Sequence, residues 1–191
     1  VFSAEAIAGR IGVVARRIAE TRMENLLVVA ILKGSFVFAA DLLRAMHHAG
    51  LSPEVDFLSL ASYRAATRSS GRVEIVRDIE TDVQGRSVLI VDDILESGRT
   101  LAFARDLIVS RGAKRVLACV LLDKPVERAV PIAADFTAFE CPNEFVVGYG
   151  MDLAHRFREL PFVGRTIALS GAGVGWGQMT RRLQTMRCRV S

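Results

Sequence analysis

One hundred and ninety-one residues suffice for a single domain with a full hydrophobic core and are few for two. With 51% hydrophobic and 24% charged residues, the chain has the balance of a globular protein, which excludes a disordered or fibrous one. The formal net charge is +4, but residues 171–191 hold four arginines (Arg181, Arg182, Arg187, Arg189) and no acid, so residues 1–170 are neutral and offer no nucleic-acid groove on the fold itself. The longest apolar run, residues 26–32, is too short to span a bilayer, and no basic segment followed by an apolar one opens the chain. A soluble, cytoplasmic protein without a membrane partner is expected. The chain opens on Val1 rather than Met, which points to a start lying upstream. Three cysteines (Cys119, Cys141, Cys188) show no CxxC or Cys/His spacing for zinc and read as reduced residues of the core or tail.

Taken in order, Ile7, Ile11, Val14 and Ile18 recur at helical spacing behind Ser3, predicting an amphipathic helix that ends near Thr21. Residues 26–32 read as a strand buried on both faces. Lys33-Gly34-Ser35 follows, then a helix through Phe36, Ala40, Leu43 and His47 that stops at Gly50. Residues 55–60 predict another strand, with residues 73–76 as its partner. The connection between them carries Ser62-Tyr63 and Ser69-Ser70-Gly71, too polar and too long for a tight hairpin, and reads as a flap. Residues 87–92 are a strand, followed by a helix closing at Gly112; residues 115–122, 135–139 and 145–147 complete the strands. Strands alternating with helices predict an α/β fold, a mostly parallel sheet with helices on both faces and a ligand site at the carboxyl ends of its strands. His47, His48 and His155 read as exposed, since no carboxylate pair or metal spacing accompanies them. Residues 1–170 form the domain, and 171–191 a basic, glycine-punctuated tail that docks on a partner, binds something acidic or is disordered.

The chemistry concentrates in Asp92-Asp93-Ile94-Leu95-Glu96-Ser97-Gly98-Arg99-Thr100. A run of β-formers ends in two adjacent carboxylates and passes through a short polar loop into a helix with Leu101, Ala104 and Ile108 on one face. Such a turn sets backbone N–H groups, the positive end of a helix dipole and the hydroxyls of Ser97 and Thr100 where a phosphate can sit. The carboxylates suit sugar hydroxyls or a hard cation. Neither a dinucleotide glycine fingerprint nor a Gly-Lys-Ser P-loop is present. The alternative is an ordinary strand-to-helix turn capped by Ser97.

This stretch resembles the ribose-phosphate loop of the type I phosphoribosyltransferases. Further segments narrow the resemblance to the hypoxanthine-guanine phosphoribosyltransferases: Leu32-Lys33-Gly34 is similar to their pyrophosphate loop, Ser62-Tyr63 with Ser69-Ser70-Gly71 to their flap, and Asp123-Lys124 to their purine-recognition strand end. The run from Asp135-Phe136 through Phe145-Val146-Val147-Gly148-Tyr149-Gly150-Met151-Asp152 to Phe157-Arg158-Glu159-Leu160-Pro161 is similar to their hood. The likeness covers roughly residues 1–165, in order, and leaves the tail outside.

The resemblance implies transfer of a 5-phosphoribosyl group from phosphoribosyl pyrophosphate to N9 of a 6-oxopurine, with Mg2+ required and a homodimer or homotetramer expected. It implies that residues 96–100 grip the 5′-phosphate, that Asp92 and Asp93 bind the ribose hydroxyls directly or through magnesium, and that Lys33, Gly34 and Arg158 face the pyrophosphate. Asp152 joins the two earlier acids as a metal ligand, Glu96 is the general base at purine N7, and the Leu32–Lys33 bond is cis. Ile94 and Phe145 sandwich the purine, the Val146 backbone meets its edge, Lys124 donates to O6, and Tyr63 closes over the reacting centre. Without the resemblance Lys124 reads as a solvated strand end, Ile94 and Phe145 as core, and Tyr63 as a surface aromatic. Glu96 stands where the family has Asp, Ser97 where it has Thr, Asp92-Asp93 where it has Glu-Asp, and Leu153 where an aromatic residue is common; these departures bear on the rate and the preferred base. A regulator of the same fold that senses phosphoribosyl pyrophosphate or nucleotides and binds nucleic acid through the arginine tail is the competing reading, and an enzyme of the same superfamily acting on xanthine or another base a third.

Overall fold

The computed structural model describes residues 1–62 and 73–166. Seven consecutive apolar residues make β1 (Leu26–Leu32) the middle of the molecule. Side chains alternate across a strand, so Leu27, Val29 and Ile31 enter one core while Leu26, Val28 and Ala30 enter the other. Burying each such side chain is worth about 1.5–3 kcal/mol, which is why a strand with two apolar faces settles between two helical layers.

The six-stranded sheet runs β3-β2-β1-β4-β5-β6, with β2 Glu54–Ser62, β3 Val73–Arg77, β4 Ser87–Leu95, β5 Arg115–Asp123 and β6 Phe136–Glu140. All neighbours pair in parallel except β3, which lies antiparallel at the edge beside β2. Helices α1 (Ala4–Glu20) and α2 (Phe36–His48) bury their apolar stripes on one face, and α3 (Arg99–Ser110) covers the other through Leu101, Ala104 and Ile108. Ser3 caps α1 by accepting the Ala6 N–H at 3.2 Å, a bond of the kind worth about 1 kcal/mol. The expected α/β architecture is therefore present. His47, His48 and His155 are exposed, Cys119 and Cys141 are buried free thiols, and no helix among the described residues is long and apolar enough to cross a membrane.

Three features depart from the periodicity. Strand β4 does not stop at Asp92: its register with β5 continues through Ile94↔Leu122 and Leu95↔Asp123, so both acids lie within the strand. A two-stranded antiparallel hood sheet joins β7 (Val146–Val147) to β8 (Gly164–Arg165), and β8 is too short to leave a sequence pattern. The hood is pinned to the start of the chain, Phe2 and Val163 exchanging backbone hydrogen bonds at 3.0 Å while the Phe2 ring stacks on Phe139 at 4.2 Å. Residues 63–72 of the expected flap and the tail lie outside the described residues.

A third feature had no local signal. Asp56 in β2 is only 8% exposed and accepts backbone N–H groups from Phe57 at 2.7 Å and from Glu80 and Thr81 at 2.8 Å, binding the β3–β4 connection to the sheet. Burial alone pushes this carboxyl up, but the donated N–H groups hold it below its ordinary value. A depressed folded-state pKa contributes stability that is present above the unfolded value and lost as pH falls through the folded one. Asp56→Ala should therefore cost about 2–3 kcal/mol at neutral pH. Urea denaturation of both proteins at neutral pH and again below about pH 3 should show the gap shrinking in acid.

Candidate active site

A cleft of about 730 Å³ opens at the carboxyl ends of β1, β2, β4 and β5, beneath the hood. It brings together Lys33, Gly34, Asp93, Ile94, Glu96, Lys124, Phe145, Val146, Asp152 and Arg158, residues that the sequence reading drew from four separate segments. The loop after β1 enters through a cis Leu32–Lys33 bond, and Ser35 anchors its far side by donating to the Ile31 carbonyl at 2.5 Å. Gly34 lies so close to β4 that a Cβ there would stand 1.7 Å from Asp93 Oδ2. Only glycine lets the backbone approach the carboxylate this closely.

Asp93 faces the cleft, whereas Asp92 is 6% exposed and is not among the lining side chains. Asp92 accepts the Asp93 N–H at 3.0 Å, and Asp93 accepts the Ile94 N–H at 3.0 Å. Burial, reinforced by the neighbouring Asp93 charge, raises Asp92 well above the ordinary carboxylate range; burial also raises Asp93, while the positive Arg158 acts against it.

Lys124 lies at the end of β5 and is 5% exposed, so it is not a solvated strand end. Its ammonium pairs with Glu96 at 3.3 Å and its backbone N–H holds the Leu95 carbonyl at 3.0 Å. Phe145 is 53% exposed and lines the same space as Ile94, so its ring overhangs the cleft instead of packing in the core. Val146 is buried in β7. On the hood side, Arg158 Nη2 pairs with Asp152 at 2.7 Å and Nη1 donates to the Gly150 carbonyl at 2.6 Å; the other Asp152 oxygen accepts the His155 N–H at 2.7 Å.

The loop from Glu96 leads into α3, whose N-cap is Gly98 and not Ser97. Gly98 makes no side-chain bond to the first turn, and Ser97 Oγ accepts the Arg99 N–H only at a long 3.4 Å, which leaves the helix N-terminus suited to an anion. Ser97 is exposed, and Arg99 and Thr100 are half-buried. Ser62 ends β2 next to Ala61, which lines the cleft; Tyr63 lies outside the described residues. Sequence reasoning missed Ser59, Val76, Asn143, Glu144 and Met151 on the lining, and it missed the pairing of Glu96 with Lys124 and of Asp152 with Arg158. Only the opposite charges of these residues were visible in the sequence.

A phosphoribosyl transferase domain matches residues 2–153, and the chain belongs to the phosphoribosyltransferase family. It is 41% identical to the hypoxanthine phosphoribosyltransferase of Escherichia coli over 166 residues, covering 85% of this chain and 92% of that protein. It is 49% identical over 146 residues to the bifunctional protein TilS/HprT of Listeria innocua, covering 76% of this chain but only 22% of that much longer protein. The structure of Trypanosoma cruzi hypoxanthine phosphoribosyltransferase in complex with the product IMP superposes with a TM-score of 0.81 at 35% identity, covering 86% of this chain and 91% of that one. Within the family these relatives lie in the hypoxanthine-guanine branch, as the motifs implied. The regulator reading finds no support among them.

The raised pKa of Asp92 carries a testable sign. A carboxyl whose folded-state pKa lies above its unfolded value contributes fully only below the unfolded value and loses that contribution as pH rises through the folded one. Asp92→Asn removes the loss, so the ligand-free variant should be more stable than the wild type near pH 8, by on the order of 1 kcal/mol. Thermal melts across the pH range should show the advantage fading as pH approaches 4 or so.

Proposed function

We propose that this protein transfers the 5-phosphoribosyl group of phosphoribosyl pyrophosphate to N9 of a 6-oxopurine, hypoxanthine or guanine, releasing pyrophosphate. The observation that carries this reading is the buried Lys124 ammonium paired with Glu96 in a cleft also lined by Ile94 and the overhanging Phe145, next to a helix N-terminus whose cap is Gly98. A purine ring slides between the two apolar side chains, Lys124 donates to O6, and Glu96 accepts the N7 proton as N9 becomes nucleophilic. The Val146 backbone meets the far edge of the ring. The 5′-phosphate sits on the N–H groups of residues 96–100 with the Ser97 and Thr100 hydroxyls and Arg99 beside them. Asp93 holds the ribose, while Asp92, expected beside it, is buried off the cleft and only backs that carboxylate; Lys33, the Gly34 backbone and Arg158 take the departing pyrophosphate, arginine through its planar fork. Ser62 and Tyr63 begin the flap that excludes water from an oxocarbenium-like centre.

The acids fit a magnesium ion of a particular kind. Asp93 and Asp152 turn hard oxygens toward the cleft, yet among the described residues no three His, Cys, Asp or Glu side chains are gathered to hold an ion alone. Such sparse donors suit an ion that keeps waters and shares phosphate oxygens with the substrate. Asp93 and Asp152 would hold it, Asp92 being turned into the interior and away from the cleft, and when bound it would neutralise charge on the pyrophosphate. Every assigned residue precedes residue 171, so the tail is separable from the chemistry. The protein acts as a cytoplasmic homodimer or homotetramer, without nucleic acid.

Base choice tests the assignment. Lys124 has donors only, so the O6 acceptor of hypoxanthine complements it while the amino group of adenine sets donor against donor. Pyrophosphate-release assays should show adenine disfavoured by roughly 10²-fold or more in kcat/KM, and Lys124→Ala should narrow that gap by lowering the better activity. Equal use of adenine by the wild type would refute it.

Glu96 is tested by charge and by length. Glu96→Gln should lower kcat by roughly 10² to 10⁴ with little change in affinity for phosphoribosyl pyrophosphate, while Glu96→Asp keeps substantial activity. A Gln variant turning over near the wild-type rate would remove Glu96 from proton transfer.

A further inference from the structure

The connection between β5 and β6 begins with Lys124 and has no other role in the proposed chemistry, but it forms a wall against the phosphate loop. The Val130 N–H donates to the Ser97 carbonyl at 3.1 Å. At Gly98, whose φ is +77°, a Cβ would stand 2.4 Å from the Val130 carbonyl oxygen and 2.9 Å from Ile132 Cγ2. The two loops therefore touch through backbone, where neither has slack. In a planar trans peptide the C=O and the next N–H point in opposite directions. Anchoring the Ser97 carbonyl on Val130 therefore turns the Gly98 N–H away from the wall.

What holds the wall is Arg128. Its Nη1 donates to the Ile132 carbonyl at 2.8 Å, which folds the connection on itself, and its Nη2 pairs with the Asp123 carboxylate at the end of β5. Both side chains are largely buried, at 20% and 23% exposure. Asp123 is itself fixed in the sheet, since its carbonyl accepts the Cys141 N–H at 2.8 Å. A planar fork is needed to serve a carbonyl and a carboxylate at once, which an ammonium at the end of a flexible stem does less well.

We propose that Arg128 is a positioning residue for the 5′-phosphate. It clamps residues 124–134 to the end of β5 so that Val130 keeps the Ser97–Gly98 peptide turned with its N–H available to the phosphate, and it does this without touching substrate. The inference rests on residues 96–100 being the phosphate loop of the proposed reaction.

The test separates the phosphate from the rest of the nucleotide by comparing IMP with inosine, which lacks it. Affinities of the full chain for both are measured by calorimetry, beside thermal melts, for wild type, Arg128→Met and Arg128→Lys. Arg128→Met should weaken IMP by about tenfold, the worth of one or two lost hydrogen bonds, with inosine within twofold or so of wild type and Arg128→Lys falling between. Unchanged IMP affinity, or equal losses for IMP and inosine that follow the melting temperature, would overturn the proposal. Should Arg128→Met not fold, Asp123→Asn, which removes the charge from the clamp and keeps its shape, is put through the same comparison with the same outcomes. A wild type that binds neither IMP nor phosphoribosyl pyrophosphate would overturn the functional reading itself.

Discussion

Two adjacent carboxyl groups near the end of β4, one buried and one facing the cleft, set the terms for everything around them. Desolvation disfavours the charge on each, and each charge disfavours the other, so the structure tolerates Asp92 and Asp93 only with tight surroundings. Gly34 leaves room for the Asp93 oxygens where any side chain would collide, and Arg158 contributes an opposing positive charge from the hood. Backbone N–H groups of the strand itself supply further partners. Contacts from the loop after β1 and from the hood thus offset an electrostatic cost that the strand alone would not bear.

The hood answers the same constraint from above. Gly150, at φ +98°, presses its backbone against Gly34, where a Cβ would stand 2.2 Å from the Gly34 carbonyl oxygen. Tyr149 donates its hydroxyl to Asp41 on α2, so the strap that bears Asp152 and Arg158 is tied to the helix that follows the Lys33-Gly34 loop. Position in the cleft is thus decided by backbone contacts between glycines and by one tyrosine, and the charged side chains inherit it.

Within the cleft the charges satisfy one another: Lys124 with Glu96, Arg158 with Asp152. Buried or half-buried pairs of this kind contribute little net stability, because desolvation offsets their attraction. Glu96 reaches Lys124 across the sheet from the neighbouring strand end.

The sequence by itself determined the layers and the order of the parts. Unbroken apolar runs in β1 and β4, a 3.6-residue stripe in α1, and Gly50 and Gly112 after α2 and α3 are local patterns that local physics converts into elements. The contiguous stretch of residues 96–100 was legible in the same way, whereas the cis bond and the hood came only from the resemblance and not from any local pattern. The tertiary structure decided which of two adjacent acids faces the cleft, how far β4 extends, that Asp56 ties down a distant turn, and that Lys124, Asp152 and Arg128 choose Glu96, Arg158 and Asp123 from among many opposite charges. Each of those outcomes depends on strand register or on side chains meeting from separate elements. Coulomb attraction and burial act on distance in space, and a linear pattern of charges does not contain that distance.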